Sequence, residues 1–113
     1  MYNYFMLIGR LVKDPEKKEF KDGKKAVSVR LAVKRAFKNT SGTYDVDFFN
    51  VTFWEFLVDV ITESLKKGQM VAVKGRIGTT TEELASGFPL AYPNLIGERI
   101  MFLDQYKEEN AES

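Results

Sequence analysis

The 113-residue sequence predicts a single all-β domain, a five-stranded barrel with one helix between its third and fourth strands. Apolar and polar residues alternate in several stretches, which is the period of a half-buried strand, whereas only one stretch repeats its apolar residues at helical spacing. The resulting order is three strands, one helix and two more strands. An open meander packed against a helix has the same order, so the periodicity leaves closure of the barrel undecided.

Residues 2–11 form the first predicted strand, which is apolar on both faces. One face carries Phe5, Leu7 and Leu11, and the other carries Tyr4, Met6 and Ile8. A half-exposed antiparallel strand would instead alternate with polar residues. Two interpretations are therefore open: the second set forms an oligomer interface, or the strand is central and buried on both sides.

The second and third strands form a long predicted hairpin. A charged connection, residues 17–25 with a turn at Asp22-Gly23, leads into the second strand at residues 26–38. The inward positions of this strand are Val27, Val29, Leu31 and Val33, and the outward positions are Ser28, Arg30, Ala32 and Lys34. Small and cationic outward residues suit a surface that phosphates approach. Strict alternation turns Phe37 inward, so its ring can face a ligand only if the hairpin tip twists away from the barrel.

The third strand, residues 45–54, follows a predicted turn at residues 39–42 and is the stretch most informative about function. One face carries Val46, Phe48, Asn50, Thr52 and Trp54, and the opposite face carries Phe49, Val51 and Phe53. The second set is purely apolar and is predicted to fill the core. Aromatic rings interleaved with small polar groups form a platform on which nucleobases can stack. Alternatively, Phe48 and Trp54 pack beneath a loop or a helix.

The second half of the chain supplies the helix and the last two strands. Residues 55–67 are predicted to be helical, residues 70–77 and 95–103 to be strands, and residues 78–94 to be a loop interrupted by Pro89 and Pro93. The barrel domain is expected to span residues 1–104, and residues 105–113 to form a short, polar and flexible tail.

The composition excludes several classes of protein. The chain has no Cys and no His, which removes disulfides, thiolate metal sites and the commonest general base. An enzyme would have to work with carboxylates, Lys or Tyr, and no nucleophile in the sequence is paired with a base, so we expect neither an enzyme nor a cofactor. It has no apolar run long enough to cross a membrane and no signal peptide, so we expect a cytoplasmic protein without a membrane partner. Residues 1–38 carry eleven Lys and Arg against four Asp and Glu, which favours a polyanion partner for this part.

Several blocks of residues resemble the bacterial single-stranded DNA-binding proteins. They are LIGRLVKDPE at residues 7–16, LAV at 31–33, RAF at 35–37, DFFNV at 47–51, LKKG at 65–68 and VKGRI at 73–77. The resemblance runs in register from about residue 2 to residue 104, nearly the whole chain. Their joint order and spacing are more specific than any single block.

The resemblance implies an oligonucleotide-binding barrel that assembles as a homotetramer through its first strand and its sheets. It also implies binding of single-stranded DNA with little sequence preference, in association with the nucleoid. It places stacking aromatics at Phe37, Phe48 and Trp54, and basic contacts at Lys34 or Arg35 and at Lys67. Together with the outward residues of the predicted strands, the complete predicted nucleic-acid interface is Arg30, Lys34, Arg35, Phe37, Lys38, Phe48, Asn50, Trp54, Lys67, Arg76 and Thr79, and the predicted oligomer interface is Tyr4, Met6 and Ile8.

Three features depart from the family pattern. Thr80 and Glu82 stand where a basic residue and an aromatic are common, and Glu55 replaces a basic residue after Trp54. The chain also lacks the long tail with an acidic, apolar-ended tip, so recruitment of repair enzymes through a tail is not expected. An alternative function is therefore a protein-interaction subunit with weakened DNA binding. Binding of single-stranded RNA is a further alternative, because stacking and phosphate contacts do not read the 2′-hydroxyl.

Overall fold

The computed structural model describes residues 1–103, which form one six-stranded sheet and one helix. The elements are β1 (Phe5–Leu11), β2 (Glu16–Glu19), β3 (Lys25–Lys38), β4 (Tyr44–Trp54), α1 (Phe56–Ser64), β5 (Met70–Glu83) and β6 (Pro89–Phe102). β1 pairs with both β5 and β3, which closes a barrel in the order β1-β5-β6-β4-β3, and β2 extends the sheet beyond β3. The predicted closed barrel, with its helix after the third of the five barrel strands, is confirmed.

The core lies inside the barrel and beneath α1. It consists of the inward residues of the strands, one side of the helix and the residue that follows the helix, namely Leu11, Val27, Val29, Leu31, Val51, Phe53, Val58, Ile61, Leu65, Val71 and Val73. The ring of Phe53 lies against the backbone of β6 at Gly97, where a Cβ atom would collide with it. Only glycine therefore lets β6 approach the largest core side chain this closely.

Two segments that were predicted to be connections, residues 17–25 and 78–94, contain β-strands. Part of the charged segment 17–25 forms β2, which pairs with β3 from Glu16↔Ser28 to Glu19↔Lys25. All four residues of β2 are exposed, so its sequence lacks the alternation of apolar and polar residues from which a strand could have been predicted.

The predicted loop at residues 78–94 is wrong. β5 and β6 continue as a long antiparallel hairpin, paired from Gly78↔Asn94 to Glu83↔Pro89, with a turn around Gly87. Pro89 is the first residue of β6, and Pro93 lies before the two positions at which β6 pairs with β4. Proline is tolerated where a strand has a partner on one side only, because its missing N–H can face away from the ladder.

The helix is shorter than predicted. α1 ends at Ser64, and Leu65 is already extended although its side chain belongs to the core. Ahead of the helix, Glu55 has a φ of 60°, an uncommon conformation for a residue with a side chain, and its N–H donates to the carbonyl of Lys25 at 3.0 Å. This turn fixes the position at which β4 ends.

Within residues 1–103, no helix is long and apolar enough to cross a membrane. The tail predicted for residues 105–113, together with residue 104 of the predicted domain, lies outside the described residues.

Candidate nucleic-acid interface

The predicted alternation of β4 is confirmed at most positions. Phe48 and Trp54 are 53% and 39% exposed on the outer surface, whereas Val51 and Phe53 are 0% exposed. Phe49 is the exception on the inner side, because it is only half-buried and borders an open concavity. β4 therefore separates an exposed outer face from a core face, and Phe49 belongs partly to each.

The outer face of β3 and β4 places a cation and an amide beside an exposed ring. Arg30 is directly opposite Asn50 in the ladder, and Ala32 is opposite Phe48. The guanidinium of Arg30 donates to Oδ1 of Asn50 at 3.2 Å and lies 5.3 Å from the centre of the Phe48 ring. Three predicted residues, Arg30, Phe48 and Asn50, thus form one continuous patch.

Two concavities lie between this face and the β5–β6 hairpin. The first, of about 420 Å³, is bordered by Phe48, Asn50 and Thr52 together with Tyr92 and Asn94 of β6. The second, of about 510 Å³, is bordered by Trp54, Arg76, Thr79, Thr80 and Asn94. The structure therefore brings Arg76 and Thr79 next to Trp54, although they lie more than twenty residues away in the sequence. Thr52 and Asn94 border both concavities, and we call the two concavities together the groove.

The tip of the β3–β4 hairpin is irregular and exposed. The register shifts between Lys34↔Val46 and Lys38↔Tyr44, so that three residues of β3 face one residue of β4. Such irregularities bend a strand and redirect its side chains. Phe37, which strict alternation would turn inward, is 84% exposed. The ammonium groups of Lys34 and Lys38 lie 5.6 and 5.9 Å from the ring of Tyr44, so they flank another exposed aromatic.

Arg35 lies in a different electrostatic environment from Lys34. Its guanidinium donates two hydrogen bonds of 2.9 Å to the carboxylate of Asp47 and lies 3.6 Å from that of Asp45. The hydrogen bond to Asp47 raises the pKa of Arg35, and the same bond lowers the pKa of the Asp47 carboxyl. A phosphate that approaches Arg35 must therefore compete with carboxylates already bound to it.

Lys67 lies apart from the groove. It follows α1 in a turn with Gly68, whose φ is +93°, and its backbone N–H donates to Asp14 at 2.8 Å. The concavities beside Phe48 and Trp54 do not include it. Its predicted phosphate contact would have to lie on a path that continues beyond the platform.

Three aromatic residues near the interface were missed by the sequence reasoning. Tyr44 lies on the outer face beside Lys34 and Lys38, and the alternation that identified Phe48 could have identified it. Tyr92 lies in the stretch predicted to be a loop, so no periodicity pointed to it; its hydroxyl donates to Glu82 at 2.9 Å, and this bond raises the pKa of Tyr92. Phe20, an aromatic within a basic run, stacks on Trp54.

The predicted oligomer residues lie on one exposed surface. Tyr4, Met6 and Ile8 all project outward and are more than half exposed in the single chain. Met6 borders a small concavity with Ala72 of β5 and Met101 of β6. The face of β1 that the sequence left ambiguous is therefore not covered by the described part of its own chain.

A closed five-stranded barrel with this exposed row of rings and cations defines an oligonucleotide-binding barrel. The comparison with known protein families agrees with this class and identifies one family within it. The chain belongs to the single-strand binding protein family, whose model matches residues 2–103.

Curated relatives cover nearly the whole chain. It is 35% identical over 111 residues to single-stranded DNA-binding protein B of Bacillus subtilis, with 98% of each chain aligned. It is 33% identical over 107 residues to single-stranded DNA-binding protein 1 of Clostridium acetobutylicum, covering 94% of this chain and 97% of the relative. Single-stranded DNA-binding protein A of Bacillus subtilis is 35% identical over 104 residues, but this alignment covers only 60% of that longer protein.

Proposed function

We propose that this chain binds single-stranded DNA without strong sequence specificity and without catalysing a reaction. It would act at the nucleoid and protect exposed strands during replication, recombination or repair. The observation that carries the proposal is the outer face of β4, where Phe48 and Trp54 stay exposed beside cations while Val51 and Phe53 fill the core. Membership of the single-strand binding protein family supports the same function.

Base stacking supplies the sequence-tolerant part of the affinity. Phe48 and Trp54 are six positions apart on β4, about 20 Å at 3.3 Å per residue, so they can contact bases that are separated along the strand. Phe37 offers a third ring at the hairpin tip. Each stacked base contributes about 1–3 kcal/mol, a range measured on proteins of this class. Because every base has a π-face, these contacts do not select a sequence.

Cations beside the rings supply the salt-dependent part. Lys34 and Lys38 at the hairpin tip, Arg30 on the platform and Arg76 in the groove can each neutralise a phosphate and release counterions. Arg76 lies 3.6 Å from Glu98, and both side chains are exposed, so this pair is weak enough to be exchanged for a phosphate. Arg35 and Lys67 complete the proposed set, with Arg35 attenuated by its two carboxylates.

Self-association completes the proposal. Tyr4, which directly precedes β1, and Met6 and Ile8 on β1 form an apolar row, a composition that favours contact with a second copy of the same face. We propose a homotetramer, because a strand of DNA that wraps around several barrels is bound by more rings and cations than one small barrel can supply. Sedimentation equilibrium at micromolar concentration tests this assembly, and a single 13.0 kDa species would contradict it.

The test of DNA binding uses the only tryptophan in the chain. Trp54 fluorescence is titrated with oligo(dT) of increasing length at two salt concentrations, and with oligo(U) in parallel. We expect strong quenching that weakens as the salt concentration rises, because phosphate contacts release counterions. Absence of quenching together with absence of binding by labelled oligonucleotide would refute the proposal. Equal affinity for oligo(U) would extend the ligand class to single-stranded RNA.

A second candidate function is a protein-interaction subunit with weakened DNA binding. The end of the β5–β6 hairpin favours it, because Glu82 and Glu83 stand beside the exposed side chains of Leu84 and Phe88. An acidic and apolar tip repels a phosphate backbone but suits a basic partner protein. The same titration discriminates the two, since this function predicts little quenching of Trp54.

A further inference from the structure

We infer that Phe20 and Trp54 form a nucleotide subsite at the edge of the barrel, in which both rings contact one base and Lys21 and Lys24 contact its phosphates. The inference rests on the proposed function and adds a subsite that the interface predicted from the sequence does not include. We call it the β2–β3 subsite; it consists of Phe20, Lys21, Asp22, Lys24 and Trp54, which border a concavity of about 590 Å³. Its volume lies in the range of small-molecule sites.

The two rings already form a stacked pair in the free protein. Their centroids are 5.5 Å apart with an interplanar angle of 23°, and each residue is 39% exposed. Offset stacking of this kind is a favourable arrangement for aromatic pairs. Because the rings are stacked yet open to the same concavity, a base that enters there meets apolar, π-rich surface from both residues.

The backbone holds Phe20 in place without help from the ring. The N–H of Phe20 donates to the carbonyl of Lys24 at 2.8 Å, and the N–H of Gly23 donates back to the carbonyl of Phe20 at 2.9 Å. The carboxylate of Asp22 accepts the N–H of Lys24 at 3.1 Å. The β2–β3 turn is therefore preorganised, so little conformational entropy is lost when a base binds.

Ion pairing divides the lysines of this basic run into two groups. Lys17 lies 3.3 Å from Asp59, and Lys25 lies 3.8 Å from Glu19. In the described part of the chain, Lys21 and Lys24 have no such carboxylate partner, and these are the two that border the concavity. Lys18 adds a cation 5.2 Å from the centre of the Phe20 ring. The side chains of Lys21 and Lys24 outnumber the one carboxylate on this border, that of Asp22, so the net charge there is positive and fits an anionic ligand with a flat base.

The occupant that these features favour is a nucleotide of the same DNA strand that crosses the platform. Trp54 belongs to both the β2–β3 subsite and the concavity beside Arg76, so one strand can pass from one to the other without a gap. The subsite would lengthen the path of the DNA beyond β4 and onto the β2–β3 turn.

The experiment compares Phe20→Ala, Phe20→Leu and the exposed control Phe56→Ala in the full chain. Affinity is measured by anisotropy of fluorescein-labelled oligo(dT), because removal of Phe20 changes the emission of Trp54 itself. We expect Phe20→Ala to weaken binding of long oligo(dT) roughly 5- to 100-fold, the loss of one stacked base. Phe20→Leu keeps an apolar cover on Trp54 but offers no ring, so it should weaken binding as well. Phe56 is 83% exposed and borders neither concavity next to Trp54, so its removal should have little effect.

A second pair of variants tests the charges without altering any ring. Lys21→Ala with Lys24→Ala should flatten the dependence of log affinity on log salt by roughly 0.7 for each phosphate that the variant no longer neutralises. Lys17→Ala with Lys25→Ala, from the same run, is the matched control and should change it less. Equal slopes in the two double variants, or wild-type affinity in Phe20→Leu, would overturn the subsite while leaving the proposed function intact. Failure of the wild-type chain to bind any oligonucleotide would instead refute the proposed function.

Discussion

The two faces of β4 carry aromatic rings in very different surroundings. Phe53 is completely buried against Gly97 and the core of the barrel, whereas Trp54, the next residue, is exposed beside Phe20 and the groove. The sheet alternation alone produces this difference. A ring on the inner face contributes to the free energy of unfolding, and a ring on the outer face is available to contribute to the free energy of binding.

Phe53→Ala should give the largest effect, on stability. The substitution removes a fully buried ring whose cavity the surrounding strands cannot readily fill, and such changes cost about 3–5 kcal/mol. The measurement is urea unfolding followed by circular dichroism. Any loss of DNA binding should disappear under conditions in which the variant is folded. A folded variant with weakened binding would reverse the assignment of the two faces.

Trp54→Ala and Phe48→Ala should give the converse result. Each should weaken oligo(dT) binding by roughly 1–3 kcal/mol, because each removes a stacking surface. Both should lower stability less than Phe53→Ala does, since both rings are partly exposed in the free protein. Anisotropy titrations and urea unfolding of the same preparations provide the comparison. Unfolding caused by Trp54→Ala would mean that its stack on Phe20 is mainly structural.

Alternation is a local property, and it predicted the strands and the outer face of β4. Val51, Phe53, Phe48 and Trp54 all follow it. Closure of the barrel did not follow from alternation and was implied by the resemblance to the family. The exposure of the Phe37 side chain could not be predicted from the sequence, because it depends on a register shift in the pairing of β3 with β4. The β5–β6 hairpin could not be predicted, because a proline such as Pro93 usually interrupts a strand. Here Pro93 is tolerated because β6 has only one neighbouring strand at that position.

The groove and the proposed β2–β3 subsite could not be predicted from the sequence, because both depend on pairing between strands that are distant in the chain. Tyr92 and Asn94 reach the platform only because β6 pairs with β4 in parallel at Val51↔Leu95 and Thr52↔Ile96. Phe20 reaches Trp54 because β2 and β4 both pair with β3 near Ala26. Neither contact has a local signal in the sequence, since each depends on which strands become neighbours when the barrel closes.

Phe49→Ala should fall between the two faces. The sequence grouped Phe49 with Phe53 in the core, but the structure leaves it half-buried at the border of the groove. We therefore expect a loss of stability below about 3 kcal/mol, the lower limit for a fully buried ring, together with a measurable loss of DNA affinity. Unfolding and anisotropy measurements on this one variant test both expectations. A loss as large as that of Phe53→Ala would place Phe49 wholly in the core.

A salt titration should separate three predicted cations that the structure places in different surroundings. Lys34→Ala should flatten the dependence of log affinity on log salt by roughly 0.7, the value for one phosphate of a single strand. Arg35→Ala should flatten it less, because its charge is already neutralised by Asp47 and Asp45. Lys67→Ala reports whether the DNA path continues beyond the platform. If a variant with all three substitutions kept the wild-type slope, the phosphate contacts would lie elsewhere in the protein. Residues 17–25 would then be the first region to test.

The smallest effect should come from Asp47, and its sign follows from the ion pair with Arg35. The hydrogen bond to Arg35 lowers the pKa of the Asp47 carboxyl in the folded protein, so the unfolded chain binds the proton more readily. The stabilisation is therefore present above the ordinary pKa of an aspartate, about 3.9, and is lost as the pH falls through the lower folded value. Both groups are exposed and screened by solvent, so the contribution is small.

Asp47→Asn should remove this pH-dependent stabilisation and also release Arg35 for a phosphate. Urea midpoints of wild type and variant should differ slightly at pH 7 and converge as the pH falls below the ordinary pKa of an aspartate, about 3.9, and through the lower pKa that Asp47 has in the folded protein. At neutral pH the variant should bind oligo(dT) more tightly and with a steeper salt dependence, because Arg35 then contributes a contact. Asp45→Asn is the matched control, since Asp45 lies 3.6 Å from Arg35 without the paired hydrogen bonds that Asp47 makes. If the two variants behaved alike, general loss of negative charge rather than release of Arg35 would explain the change.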